Sequence, residues 1–453
     1  IVQQARTLPR ASVGPKSIDG CALIHCIKPH MTEQNDLNPY NLQPETRLTT
    51  HNLTMRVEDG DYIVGRMETG EFVALPEVGK LIIELFQKNN SIQGITDFLT
   101  QEYELDFDVE SFAESLIELG FIKAIDGHVL NIGAEQKSAL PWLRAHHVQW
   151  LFSMPMKILY AALLVAAGFS LATQPELIPG YNDFFWTNIG SLVILVNTTL
   201  FMTNLAVHEI AHLVAARSLG VPAYFSLGTR LYDLVVQTNV TGLWAIPRRR
   251  RYRVYLAGMA WDLIPISVAI LLLAYGNLPV IINKILSSLI LLIFFGVLWQ
   301  FQFYMRTDIY FVVLDLLHCY SLFDDSLAYL HYLFDQIKRF LLPKQAGKVL
   351  SNPLDLFSSE DQRKIKAYTI LMVLGSAIST TVFVFYGVPI LVTLFVEAYH
   401  SIQQGVILGQ ILLVMDGLLV ILIEGGFQLS FLVVFVKNRR KWLSSLWTAV
   451  KHP

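Results

Sequence analysis

Residues 189–216 read IGSLVILVNTTLFMTNLAVHEIAHLVAA, and the reading of this stretch decides the fold. It is long and apolar enough to cross a bilayer as a helix, which takes about 20 residues. Inside it lies His208-Glu209-Ile210-Ala211-His212. Residues four apart lie one above the other on a helix face. The two imidazoles therefore form a pair able to ligate zinc, with the Glu209 carboxylate beside them as a general base. Ionisable groups are costly inside a membrane span and are functional candidates by default. The alternative is a chance motif whose histidines are hydrogen-bonded within a helix bundle.

The composition agrees with a membrane protein. Hydrophobic residues make up 53% of the 453 residues and charged residues 16%, against about 25% charged in soluble domains. The formal net charge of −3 says little about partners, because charge is segregated along the chain. Basic runs lie beside apolar spans, so nucleic acid is not an expected partner. Cys21, Cys26 and Cys319 are too few, and odd in number, for a disulfide scaffold; they suit a reducing compartment. The first long apolar run begins near Met156, and no secretory signal is expected before it.

Outward from the motif, the chain divides into a soluble front and a membrane body. Residues 1–56 are polar, hold Pro9, Pro15, Pro29, Pro39 and Pro44, and read as an extended or loop-rich segment. Cys21, His25, Cys26 and His30 lie close together there, but at no common zinc spacing. Residues 57–135 read as a compact α+β module. Short strands over 61–64 and 71–75 flank a Glu68-Thr69-Gly70 turn. A helix over 77–88 places Val78, Leu81, Ile82, Leu85 and Phe86 on one face. Ser91 is a candidate N-cap for a second helix carrying Ile92, Ile95, Phe98 and Leu99. A third helix over 108–119 turns Val109, Phe112, Leu116 and Leu119 inward and stops at Gly120, before a strand at Phe121-Ile122-Lys123. The second half of the module is acidic (Glu102, Glu104, Asp106, Asp108, Glu110, Glu114, Glu118), which would repel phosphate.

The body, residues 150–441, is expected to hold six spans at about 156–173, 189–216, 254–275, 280–304, 365–396 and 406–436, with a cytosolic insertion at about 308–362 and a tail at 442–453. Lys137 and Arg144, Arg217 and Arg230, Arg248 to Arg251, Arg306 to Lys348, and Lys437 to Lys441 all fall on one side of these spans. That side should be cytoplasmic. Both termini and the front module share it, in a multi-pass protein of a bacterial cytoplasmic membrane.

This topology narrows the search for a third ligand. His212 lies just before Arg217, at the cytoplasmic end of span two, and His208 about 6 Å deeper at 1.5 Å per residue. Asp308, at the end of span four, matches that depth. Asp416, followed by Gly417, lies near the middle of span six and competes with it. Asn204, one turn before His208, is a candidate to brace a ligand or an oxyanion, or to bond another helix. Residues 231–243 alternate partly and could form an edge strand for an extended substrate. His318-Cys319 reads as core packing. Glu424, beside Gly425-Gly426, suggests a polar cavity or a paired carboxylate. Arg248 to Arg251 reads as a topology determinant touching lipid headgroups.

These motifs together resemble the site-2-protease class of intramembrane zinc metalloproteases, in particular the peptide zinc metalloproteases of bacterial peptide gene clusters. The resemblance rests on His208 to Leu213, on Leu256-Ala257-Gly258, and on Thr307-Asp308-Ile309-Tyr310-Phe311-Val312 with Asp315-Leu316-Leu317. It implies zinc held by His208, His212 and Asp308, with Glu209 as catalytic base. Asp416-Gly417 mimics the family's Asp-Gly ligand pair and keeps Asp416 as an alternative. Two positions depart from the pattern. Ile309 replaces a glycine, and Asp262, a second candidate to brace the ligands, replaces an asparagine or small residue. The front module resembles the peptide-recognition element of modified-peptide biosynthesis, the winged-helix-like fold of the pyrroloquinoline-quinone peptide chaperone. Arg66, Thr69 to Leu75, Val78-Gly79, Ile92 and Leu116 to Ile122 carry that likeness. It implies that a leader peptide adds as a strand beside residues 71–75 and packs on residues 108–119. Together the resemblances cover about residues 57–335.

The expectation is a polytopic α-helical membrane protein with an N-terminal α+β, winged-helix-like cytosolic domain, acting as a zinc endopeptidase. Its substrate would be a ribosomally made precursor peptide, cut before or during export, with an exporter or modifying enzyme as further partner. The alternatives are regulated intramembrane proteolysis of a membrane-bound regulator, a non-catalytic zinc scaffold delivering a peptide, and a transporter with an accidental motif.

Overall fold

The computed structural model describes residues 40, 42–130, 138–187, 189–230, 233–319, 321–341 and 352–451. Cys21, His25, Cys26 and His30 lie outside the described residues.

The front module begins earlier than its local pattern suggests. β1 (Leu48–Thr50) and β2 (Thr54–Glu58) are strands, not part of an extended lead-in. β1 is defined by a distant partner: it pairs antiparallel with β5 (Ile122–Ile125), Leu48 opposite Ile125, and β6 (His128–Val129) completes that sheet. β2 belongs to a hairpin with β3 (Asp61–Arg66), closed by Asp59-Gly60. Both turn residues have positive φ, 54° and 91°, the conformation a two-residue Asp-Gly turn supplies. β4 (Glu71–Leu75) pairs with β3 and is an outer strand of this second sheet.

Three amphipathic helices fill the space between β4 and β5: α1 (Glu77–Gln87), α2 (Ile92–Tyr103) and α3 (Val109–Glu118). Ser91 caps α2 by accepting from the Gly94 N–H, and Asp108 caps α3 by accepting from the Ser111 N–H. Val64, Val73, Leu75, Ile82, Phe86, Ile95, Phe112, Leu116 and Phe121 interlock as one buried core. Burying each large apolar side chain contributes about 1.5–3 kcal/mol.

Among the described residues, six helices of the body are long and apolar enough to cross a membrane, so the chain is a polytopic helical protein. They are α4 (Met154–Thr173), α5 (Gly190–Ser218), α7 (Ala257–Tyr275), α8 (Val280–Trp299), α11 (Ser359–Val382) and α13 (Ile411–Lys451). α7 is the most enclosed and packs against α4, α5 and α8. α5 stops where Gly220, at φ 76°, turns back: the Val221 N–H bonds the Ala216 carbonyl. This glycine-centred cap leaves the paired histidines of α5 less than three turns from the helix end.

Short elements connect the spans. After α5 come β7 (Tyr224–Arg230) and β8 (Asp233–Asn239), an antiparallel hairpin. A 3₁₀ turn (Thr241–Ala245) and α6 (Arg248–Tyr255) lead into α7. α8 ends at Trp299, earlier than expected, because the chain leaves the bilayer-length helix to form a separate one, α9 (Asp308–Leu316). α10 (Leu322–Leu341) packs on α11.

The expected loop near residues 397–405 is helix. From Ser359 the chain runs through α11, a π-helical segment (Phe383–Gly387) and α12 (Val388–Leu408). It reverses only at Gly409, φ 65°, where α13 begins. Polar residues around 397–404 resemble a loop locally. Packing of α12 along α13 holds them helical, and Gly417 approaches so closely that an added Cβ would sit 2.3 Å from the Ala398 carbonyl oxygen.

Candidate metal centre

His208 and His212 project from the same face of α5 and are 3% and 2% exposed. Asp308, 1% exposed, opens α9 and meets them. Its Oδ2 lies 3.1 Å from Nε2 of each histidine, and the two Nε2 atoms are 3.2 Å apart. Among the described residues, these three are the one group of His, Cys, Asp or Glu side chains close enough to share an ion.

The surroundings determine which atoms face the centre. His212 Nδ1 lies 2.7 Å from the Val254 carbonyl of α6, an acceptor only, so Nδ1 carries the proton. His208 Nδ1 lies 2.7 Å from Asp262 Oδ2 of α7, and Asn204 donates to Asp262 Oδ1 at 2.9 Å. In their neutral forms both rings then present bare Nε2 lone pairs to each other and to a carboxylate. Three acceptors at these separations repel unless a cation lies among them. A tetrahedral zinc site with bonds of about 2.0–2.1 Å has edges of roughly 3.3–3.4 Å, close to the three distances found. Asp308 Oδ1 is buried with no hydrogen-bond partner, as fits a carboxylate oriented by an ion. The residues present therefore fit a metal.

Asp308 is placed by a loop whose role local sequence did not reveal. Arg306 adopts φ 60°. The Thr307 hydroxyl then donates to the Gln300 carbonyl at 2.6 Å, and the Asp308 N–H donates to Gln300 Oε1 at 3.1 Å. Gln300 thus caps α9 from the end of α8.

Gly258 is a second unforeseen determinant of geometry. A Cβ there would sit 2.3 Å from His208 Nε2. The small residue lets α7 approach the ring face-on.

Glu209 turns away from the histidine face towards β8. Its Oε2 accepts the Thr238 N–H at 2.7 Å, and the Thr238 hydroxyl lies 2.7 Å from the same oxygen. Glu209 and Thr238 are 3% and 0% exposed. Thr238 falls within the stretch expected to offer an edge strand, but its bond to Glu209 is a tertiary contact that alternation does not announce.

Asp416 is not near this centre. It lies two turns into α13, not at mid-span, and its Oδ1 accepts the Ser191 N–H at 2.7 Å, capping the opposite end of α5. With α12 extended to residue 408, α13 begins later than expected, and this moves Asp416 to the end of its span. Glu424 also lies outside the three-residue cluster.

Two other expectations change. His318 is not core: its side chain is 54% exposed, and Nδ1 faces Asp59 at 3.0 Å and Arg248 at 2.6 Å. Its φ of 54° ends α9 and swings it outward. Arg248 and Arg251 are not lipid-facing; Arg251 is wholly buried among carboxylates, whereas Arg249 and Arg250 are exposed. Of the segments expected to receive peptide, residues 71–75 lie on an outer strand, yet Phe72 packs into the core shared with the body. Within residues 108–119, Val109, Phe112 and Leu116 are committed to the module core.

Comparison of the chain with protein-family models, with curated proteins and with solved structures gives no match.

Proposed function

We propose that this protein is a membrane-embedded zinc endopeptidase acting on a precursor peptide from the cytoplasmic side of a bacterial membrane. The observation that carries the reading is the convergence of His208 Nε2, His212 Nε2 and Asp308 Oδ2 within 3.2 Å, the two histidines on the helix that also carries Glu209. Three protein ligands with a fourth position open is the usual arrangement of a catalytic zinc, whereas structural zinc is closed by four. A bound zinc ion supplies an acidified water and a Lewis acid for the scissile carbonyl.

The chain's own residues do the rest. Asp262 and the Val254 carbonyl hold each ring by Nδ1, so that Nε2 is the atom turned to the centre. Glu209 takes the water proton on its carboxylate and returns it to the leaving amine. Thr238 keeps that carboxylate oriented through its backbone N–H and its hydroxyl. Arg217 marks the basic end of α5, which we take as cytoplasmic because the other basic clusters share that side. An extended substrate would pair with a strand of the β7–β8 hairpin. The front module, with the element order the peptide-recognition likeness requires, would deliver a leader peptide.

The test uses purified full-length protein, its metal content, and the short peptides encoded beside it. Wild type should hold about one zinc per chain and cut such a peptide, as read by mass spectrometry. Glu209→Gln should keep the zinc and lose the cut. Zinc far below one per chain sinks the metal reading. Cleavage that persists in Glu209→Gln removes the enzyme reading and leaves a zinc-binding scaffold.

A further inference from the structure

The β2–β3 turn of the front module meets the body through buried charge. Glu58, 7% exposed, accepts from Arg251 Nη2 of α6 through Oε2 at 2.5 Å, forms an ion pair with Arg248, whose Nη2 lies 2.9 Å from Oε1, and also pairs with Arg56. Asp59 Oδ2 lies 2.6 Å from Arg248 Nη2. Arg251 uses its whole fork. Nη1 reaches Asp315 Oδ1 of α9 at 3.1 Å, Nε donates to the Ile246 carbonyl at 2.8 Å, and the guanidinium lies 4.5 Å over the Trp244 ring.

Each element at this junction also holds part of the metal centre. Val254, three residues after Arg251 on α6, supplies the carbonyl for His212 Nδ1–H. Asp315 follows Asp308 by seven residues on α9, two turns along the same helix face. Trp244 lies in the turn that follows β8, whose Thr238 holds Glu209. That turn packs against β3 and β4 of the module. The module's carboxylates are thus one residue contact from α6, α9 and, through Trp244, the base-holding strand.

We propose that the front module acts on the metal centre as well as on the peptide. Its Glu58, through Arg251 and Asp315, holds α6 and α9 in the relative position that brings His212 and Asp308 together. Arg251 is the positioning residue of this device. The proposal rests on the metal reading for what the centre does, but not for the coupling itself. A buried guanidinium cannot lose one carboxylate without its neighbours shifting or water entering, so docking is a two-state event that the centre can sense. Linkage makes the coupling reciprocal: metal bound at the centre must tighten docking by the factor that docking tightens metal binding.

The experiment uses the full chain in detergent micelles and reads two quantities. One is zinc affinity by chelator competition; the other is amide hydrogen exchange over residues 54–66, 248–255 and 308–316. Glu58→Ala should weaken zinc about tenfold or more, the scale set by supporting partners of metal ligands, and speed exchange over 248–255 and 308–316. In wild type, added zinc should slow exchange over 54–66. Arg251→Lys keeps the charge but cannot span Glu58 and Asp315 together, and should also weaken zinc. Asp59→Ala, at the rim, serves if Glu58→Ala does not fold, with a smaller shift in the same direction. Wild-type zinc affinity and unchanged exchange in both Arg251→Lys and a module variant overturn the proposal. If wild type binds no zinc, the metal reading falls; the exchange comparison between wild type and Glu58→Ala still decides the coupling, faster exchange at 308–316 supporting it and unchanged exchange overturning it.

Discussion

At the residue scale, the centre depends on side chains that never touch an ion. Gly258 is one: Gly258→Ala puts a methyl 2.3 Å from His208 Nε2, so the ring must move. A displaced ligand should lower zinc affinity at least as much as loss of a supporting partner, about 10–100-fold, measurable by chelator competition. Asp262→Asn is milder, because an amide oxygen can still accept His208 Nδ1–H; affinity should fall by about tenfold. The two aspartates considered as third ligand separate cleanly. Asp308→Ala should abolish stoichiometric zinc, and Asp416→Ala should keep it while loosening the start of α5, where it caps Ser191. Zinc lost in Asp416→Ala and kept in Asp308→Ala would reverse the assignment. Both aspartates were visible in the sequence as candidates. The choice was visible only as a matter of depth, since one adjoins α5's basic end and the other sits a helix-length away.

At the scale of elements, β8 deserves a test because it joins a surface hairpin to the base. Thr238→Val removes the hydroxyl but leaves the backbone N–H bond to Glu209. A hydrogen bond to a charged group is worth about 1.5–3 kcal/mol, so hydrolysis should fall roughly 10–100-fold while zinc content stays at the wild-type level. Thr238→Ser should restore most of the rate. Equal loss in the Val and Ser variants would mean that the strand's packing, not the hydroxyl, matters. Helix α9 has the same character. Its N-terminus is held by Gln300, and its two carboxylates face opposite tasks, Asp308 to the centre and Asp315 to Arg251.

At the scale of the whole molecule, the centre ties four separate chain segments together: α5, α6, α7 and the α8–α9 loop. Removing a cation from three converging acceptors should therefore destabilise the fold. Zinc-stripped wild type should melt at a lower temperature than the loaded protein, and the difference should vanish in Asp308→Ala. The module junction has its own pH signature. Burial acts to raise the Asp59 carboxyl, but its bonds to Arg248 and His318 outweigh it and hold the group below its ordinary value of 3.8. A lowered folded pKa means that the contact's contribution is complete above that ordinary value and fades as pH falls through the lower one. Release of the module, followed by limited proteolysis of the full chain, should be flat in pH down to about 4 on account of Asp59 and rise only in stronger acid.

The sequence by itself determined the existence of the spans, as apolar runs of bilayer length, and the i,i+4 histidine pair with its glutamate and the helices of the front module, as patterns of period 3.6 read within a few turns. The hairpin turn at Asp59-Gly60 went unread, because the polar, proline-containing lead-in masked the strand before it. Tertiary structure decided what no local window contains. β1 exists because β5, more than seventy residues away, pairs with it. Arg251 stands in a run of four arginines that any window reads as an interfacial charge cluster, yet packing buries it between Glu58 and Asp315. The third ligand, its Gln300 cap and the Thr238 clamp on Glu209 meet only when distant segments pack. Local periodicity chooses elements, whereas the cost of burying unpaired charge chooses which elements must meet.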